Sequence, residues 1–127
     1  MPATTVFQAE TMDSLRQQLG DRGGELVGEL IGLYLVQGRD LVSQIEAAGA
    51  ASDATRLVAA AHKLKGSTAT LGGDRLAAVC QRIEGASAEL DVDSATSEVR
   101  REFEQLAAEL VSYRSSLQPT PGHTEDD

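Results

Sequence analysis

Residues 60–76 read AAHKLKGSTATLGGDRL, and this stretch predicts two consecutive helices separated by a tight break. Apolar or small side chains recur every three or four residues as far as Leu71, which is the spacing of one helix face. Gly72 and Gly73 then provide the stop that commonly ends a helix, and Asp74 can cap the next one. Upstream, Ser52 or Asp53 can cap the helix that ends at Leu71. The predicted inward faces consist of Leu57, Ala61, Leu64, Thr68 and Leu71 in the first helix, and of Leu76, Val79, Cys80 and Ile83 in the second.

His62 is the residue of this stretch with the most useful chemistry. On the predicted helix it lies beside the inward face, so its imidazole reaches the surface. A neutral imidazole is a good nucleophile near pH 7, and nearby cations would stabilise a phosphoryl group that it accepts. Lys65 lies one turn away, Lys63 adds a second positive charge, and Gly66 leaves room for an incoming active site. A surface histidine near two lysines is nevertheless common on helical proteins, so spacing alone favours no function.

The composition of the chain favours helices throughout, and the predicted fold class is all-α. Only 3% of residues are aromatic and there is no Trp, so the core must consist of Leu, Val, Ile and Ala, which suit helices packed closely together. We expect helices over about 9–19, 25–48 and 53–71, a fourth from residue 74 to an end near residues 85–88, and a fifth that Asp91 or Asp93 caps and that ends at about residue 117. In the first helix the expected inward face is Met12, Leu15 and Leu19, and in the second it is Leu26, Leu30, Leu33, Val36 or Gln37, Leu41 and Ile45. In the fifth helix it is Val99, Phe103, Leu106, Leu110, Tyr113 and Leu117.

The 127 residues fit one domain with one core. We expect a loose N-terminus over residues 1–7, which Val6 and Phe7 could pin to the core, a bundle over 8–117, and a disordered tail over 118–127 (QPTPGHTEDD). The start at Met1 and the polar tail favour a complete small protein. Because one bundle uses all the apolar faces, we expect a monomer.

The charge balance is strongly acidic, with a net charge of −9 at pH 7. Such a chain repels a nucleic-acid backbone and an anionic membrane surface, so we expect neither as a partner. Cys80 is the single cysteine and cannot form an internal disulfide, and no apolar run reaches membrane-spanning length. The N-terminus, MPATTVFQAE, has neither the basic start nor the apolar run of a secretory signal. These features favour a cytoplasmic protein.

The other groups that could carry chemistry are weaker candidates. His123 falls in the tail, where nothing orients it, and Cys80 lies on a predicted inward face, which favours a buried structural thiol. No second His, Cys or carboxylate lies at metal-ligand spacing from His62, so we expect no metal site. Neither Gly-Gly pair follows a strand, as a nucleotide-binding loop would, so we do not expect ATP to bind.

The run from Ala60 to Leu76 resembles the signature of histidine phosphotransfer (HPt) domains. In that signature a His is followed by any residue, then Leu, Lys and Gly, then small residues, Leu-Gly and a Leu of the next helix. Residues 76–84 (LAAVCQRIE) are similar to the second signature helix, and residues 30–35 (LIGLYL) are similar to the long helix before it. The resemblance covers most of residues 6–117, and its specific part is residues 60–84.

The resemblance implies an up-down four-helix bundle with a short additional N-terminal helix. It implies that His62 accepts a phosphoryl group from the aspartyl-phosphate of a response-regulator receiver domain, such as that of a hybrid histidine kinase, and passes it to another receiver. By position, Lys65 would stabilise the phosphohistidine, Gly66 would keep the site open, and Glu84 would hydrogen-bond the imidazole. The chain would be a carrier without an ATP site or cofactor of its own, since Mg²⁺ is needed only on the receiver.

Two other functions stay open from the sequence. The chain could be the substrate domain of a separate chemotaxis-type histidine kinase, or a docking module that binds or sequesters a partner without chemistry. Labelling by a receiver domain rather than by a kinase catalytic domain would separate the first alternative from a phosphorelay. The presence of His62, Lys65 and Gly66 weighs against the second, because a docking module has no need of them.

Overall fold

The computed structural model describes residues 5–85 and 90–117, and these residues form helices with no strand. The helices are α1 (Ala9–Gln18), α2 (Gly23–Ala50), α3 (Ala54–Leu71), α4 (Asp74–Glu84) and α5 (Val92–Leu117), with one 3₁₀ turn at Gly20–Arg22. Helix α2 packs on α3, α3 on α4, α4 on α5, and α5 on α2, so these four form a ring in chain order. Helix α1 packs mainly on α2. The all-α prediction, with a short additional N-terminal helix, is confirmed.

The core contains the predicted inward faces of α3 and α4. Every residue predicted to face inward in these two helices is buried, as are Val99, Phe103, Leu106 and Leu110 of α5. Tyr113 and Leu117 are half-buried at the end of α5. Gly38 lets α5 approach α2 closely, because a Cβ there would lie 2.7 Å from the Phe103 ring. The core thus rests mainly on aliphatic packing, with the Phe103 ring fully buried beside the Tyr34 ring.

The inward face predicted for α2 is wrong. Leu33 and Val36 are 55% and 71% exposed, Gln37 is also exposed, and of the predicted set only Ile45 is buried. The buried residues are instead Gly23, Val27, Ile31, Tyr34, Gly38, Val42, Ile45 and Ala48. Residues 26–36 are apolar almost all round the helix, so helical spacing alone fits more than one face. Tyr34 selects the observed one, because its hydroxyl shares a buried 2.6 Å hydrogen bond with the Thr68 hydroxyl.

The connection between α1 and α2 is tighter than predicted. The link expected between a helix ending at Leu19 and one starting at Glu25 contains a 3₁₀ turn at Gly20–Arg22, and α2 begins at Gly23 rather than Glu25. A Cβ on Gly23 would overlap the Arg16 carbonyl oxygen, so only glycine lets the chain pass α1 this closely. Leu19, which was expected to face inward, is 41% exposed because α1 ends before it.

The segment before α1 is attached to the corner between α3 and α4. Phe7 is buried and meets Tyr113 edge to face, so the predicted anchoring of the N-terminus is confirmed. The Gln8 amide donates to the Gly72 carbonyl oxygen at 2.8 Å, and the Gln8 side chain donates to Asp74 at 2.7 Å. Gly72 itself has φ +86°, the left-handed conformation of a helix stop.

Two of the predicted N-terminal helix caps, Asp53 and Asp91, are confirmed by hydrogen bonds. The Asp53 carboxylate accepts from the Arg56 amide at 3.1 Å, and the Asp91 carboxylate accepts from the Ser94 amide at 3.2 Å. The predictions for residues 1–4 and for the tail, including His123, lie outside the described residues. Within the part that is described, no helix is both long and apolar enough to cross a membrane.

Candidate functional site

His62 lies in the middle of α3 with its imidazole on the surface. Its side chain is 69% exposed, whereas Ala61 and Leu64 on either side are fully buried and fix the rotation of the helix. The rigid helix therefore presents the ring to solvent without burying it. An incoming protein can reach the imidazole without unfolding any part of the bundle.

Glu84, at the end of α4, connects His62 to Lys65. One of its carboxylate oxygens hydrogen-bonds His62 Nδ1, and the other lies 2.5 Å from the Lys65 ammonium. Lys65 also donates to the Gln81 side-chain oxygen at 2.9 Å. The Lys65 ammonium, followed by His62, holds the pKa of the Glu84 carboxyl below its ordinary value. Glu84 is therefore ionised at neutral pH, with a side chain only 17% exposed.

This contact determines which imidazole nitrogen carries the proton. An ionised carboxylate only accepts hydrogen bonds, so His62 Nδ1 must be the donor. In the neutral ring Nε2 then holds the free lone pair. The arrangement leaves Nε2 as the nucleophilic atom of an exposed side chain.

Gly66 lies one turn beyond His62 on the exposed face of α3. A Cβ built there would have no atom within 4 Å, so no contact within the bundle requires glycine at this position. Ala59 and Ala69 are the other small, exposed residues near the ring on this face. The surface of the bundle around His62 is therefore open.

Lys63 does not join this cluster. One residue along a helix turns by about 100°, so Lys63 lies on the side of α3 that faces α2, while Lys65 faces α4. There it lines a shallow groove with Arg56, Ala59 and Gln44. The structure therefore brings together His62, Lys65 and Glu84 and leaves Lys63 apart.

Gln81 belongs to the cluster and was not predicted. It lies one turn before Glu84 on α4, and the two side chains hold Lys65 from the same helix face. The sequence shows that Gln81 and Glu84 lie one turn apart on one helix, but it does not show that they face Lys65 of α3. Cys80, the neighbouring residue, is buried as expected, and burial raises the pKa of its thiol to about 12, so it stays protonated.

Comparisons with known proteins show the family of the chain and structures of similar fold. The sequence matches the family described as "Hpt domain" over residues 29–110. The fold is similar to a crystal structure of histidine-containing phosphotransfer protein B from Pseudomonas aeruginosa, with a TM-score of 0.78 and 21% identity over 90% of this chain and 98% of that one. It is also similar to a rice protein assigned to the histidine-containing phosphotransfer proteins, with a TM-score of 0.69 and 20% identity over 90% and 85% of the two chains. No curated protein sequence matches significantly. Since the family match spans more than half of its length, the chain belongs to the Hpt domain family.

Proposed function

We propose that this chain is the phosphoryl carrier of a two-component phosphorelay. His62 accepts a phosphoryl group from the aspartyl-phosphate of a receiver domain and passes it to the aspartate of another receiver. The observation that carries the proposal is the exposed imidazole whose Nδ1 is held by Glu84, which leaves Nε2 free to attack. Membership of the Hpt domain family supports the same role.

The transfer step makes one bond and breaks one. The lone pair of His62 Nε2 attacks the phosphorus, the bond from phosphorus to the aspartyl oxygen breaks, and the aspartate leaves as a carboxylate on the receiver. The ring gains positive charge as the new bond forms, and Glu84, bonded to Nδ1–H, stabilises that charge. Transfer to the next receiver is the same step reversed, so it needs no second nucleophile on this chain.

Lys65 offsets the repulsion between Glu84 and the phosphoryl group. Two anions close to one another would otherwise destabilise the phosphorylated state. The Lys65 ammonium already lies against Glu84, and Lys65 is one helical turn from His62. The ammonium can therefore turn toward the phosphoryl oxygens, and its hydrogen bond to Gln81 holds it close to the site before transfer. We assign Lys65 to charge stabilisation and Glu84 and Gln81 to positioning.

The chain contributes a nucleophile and a docking face, and we propose that the rest of the chemistry lies on its partner. Phosphoryl transfer requires a divalent cation to neutralise the phosphoryl oxygens. We assign that Mg²⁺ to the receiver and no cofactor to this chain. We also propose that the chain acts as a monomer, since the four packed helices enclose one hydrophobic core between them.

Phosphoryl transfer from labelled receivers tests the proposal. The purified chain is incubated with a panel of receiver domains loaded with radioactive phosphate, and the product is treated with acid and with base. We expect an acid-labile, base-stable label that His62→Gln abolishes and that His123→Gln, the matched control at the second histidine, retains. Labelling only by a histidine kinase catalytic domain would replace the phosphorelay role with that of a kinase substrate. A folded wild-type chain that no donor labels would contradict the proposal.

A further inference from the structure

The groove between α2 and α3 runs beside His62 and differs in chemistry at its two ends. Three residues link the helices, so α2 and α3 run antiparallel. One end of the groove is lined by small residues, two cations and one carboxylate, among them Ala47, Ala59, Asp53, Arg56 and Lys63. The other end is lined by mainly apolar and hydroxyl residues: Leu30, Leu33, Tyr34, Ser67, Thr70 and Leu71. Gly66 lies on α3 between the two ends, and His62 directly precedes Lys63 of the first end.

The basic end is unusual for so acidic a chain. Helix α3 contains three basic residues and no acidic one, whereas α1, α2 and α5 each contain more acidic than basic residues. Helix α4 has equal numbers of each. The acceptor helix is thus the only described helix with net positive charge, and the positive charge lies next to the nucleophile.

The two groove cations are available to a partner to different degrees. Lys63 has no carboxylate within ion-pair distance among residues 5–85 and 90–117, and its side chain is exposed. Arg56 lies 3.5 Å from Asp53, which is the acidic residue lining this end of the groove, but the Arg56 side chain is 83% exposed. Both cations can therefore reach an acidic surface that approaches along α3.

We propose that Arg56 and Lys63 form a docking contact for the acidic surface around the phosphoryl-bearing aspartate of the receiver. This inference rests on the proposed function. A receiver pocket that holds a divalent cation must be rich in carboxylates, so its rim complements the basic end of the groove. With His62 next to that end, the contact turns the acidic pocket toward Nε2. Lys63 thereby acts in partner recognition rather than on the phosphoryl group.

Transfer kinetics with charge-reversal variants test this contact. Single-turnover labelling of the R56E/K63E double variant by a phosphorylated receiver is measured over a range of receiver concentrations and at two salt concentrations. We expect the second-order rate constant at low salt to fall about tenfold, as for loss of electrostatic steering, and to depend less on salt. The rate at saturating receiver should stay near that of wild type, because neither residue touches the reacting atoms.

Arg101→Glu is the matched control for a single reversal, since Arg101 is exposed on α5 and the change in net charge equals that of Lys63→Glu. Circular dichroism checks that all variants fold. A second-order rate constant of the double variant equal to that of wild type would overturn the docking contact but not the proposed function. Equal slowing of transfer by the two single variants, Arg101→Glu and Lys63→Glu, would do the same. A wild-type chain that no receiver labels would overturn the proposed function and this inference together.

Discussion

At the scale of single residues, the site depends on a carboxylate placed beside a nucleophile. Glu84 fixes the proton on His62 Nδ1 and thereby exposes the lone pair of Nε2. The same carboxylate would repel a phosphoryl group if it were alone. In the proposed mechanism Lys65 makes the two roles compatible, because its ammonium contacts Glu84 and lies one turn from His62.

Replacing Lys65 should therefore weaken the phosphorylated state without unfolding the helix. In Lys65→Ala the Glu84 charge is no longer offset, so we expect slower labelling and a shorter half-life of the isolated phosphorylated chain. The half-life is measured by loss of label after the receiver is removed. Lys63→Ala serves as the control and should leave that half-life unchanged, since Lys63 faces α2. Equal half-lives in wild type and Lys65→Ala would show that Lys65 has no electrostatic role.

At the scale of helices, the orientation of α3 determines where the imidazole points. Leu64 is fully buried two residues after His62, and Thr68 is held by Tyr34 of α2. The stop at Gly72 and the contacts of Gln8 fix where α4 begins, and therefore where Glu84 lies. The site is thus a product of helix packing and not of a loop.

A pair of leucine substitutions tests the helix rotations. Leu64→Ala should lower the free energy of unfolding by about 2–5 kcal/mol, because it leaves a cavity in the core. Leu33→Ala makes the same chemical change on the exposed face of α2 and should change it by only about 0.5 kcal/mol. Both values come from chemical denaturation. Similar losses for the two variants would mean that the observed rotation of α2 or α3 is wrong.

The sequence predicted α3 and α4 well and α2 poorly, for one physical reason. Polar residues in α3 and α4 separate one apolar face clearly from the rest, whereas α2 has apolar residues such as Leu33 and Val36 on its exposed side. The prediction of His62, Lys65 and Gly66 as a group needed only spacing within one helix and the family resemblance. The partnership of Lys65 with Gln81 required knowing how α4 packs on α3, which no local pattern contains.

At the scale of the whole molecule, charge is distributed unevenly. The net charge is −9, yet α3 contains only basic charged residues. An acidic partner is repelled by most of the surface and attracted to the helix that bears His62. The acidic composition therefore favours one approach direction for such a partner.

Stability should fall in acid through carboxylates that are paired in the folded state. Lys65 and His62 hold the pKa of Glu84 below the ordinary value of 4.5. Arg100 does the same for the pKa of Glu46. Their stabilisation is present above about pH 4.5 and is lost as the pH falls through the lower folded-state values. Urea midpoints measured from pH 7 to pH 3 should therefore drop below about pH 4.5. The Glu84→Gln variant should be less stable than wild type at pH 7, and its urea midpoint should fall less between pH 7 and pH 3. An equally steep fall in the two proteins would show that Glu84 does not contribute to the loss of stability in acid.

The most direct test of the central claim is a two-bond ¹H–¹⁵N NMR spectrum of the histidine rings before and after phosphorylation. Before phosphorylation, we expect His62 to be protonated on Nδ1, as its bond to Glu84 requires. After phosphorylation, we expect the chemical-shift change of a phosphorylated nitrogen at His62 Nε2, with His123 unchanged. Phosphorylation of Nδ1, or of any other residue while His62 stays unmodified, would contradict the assignment of His62 Nε2 as the phosphoryl acceptor.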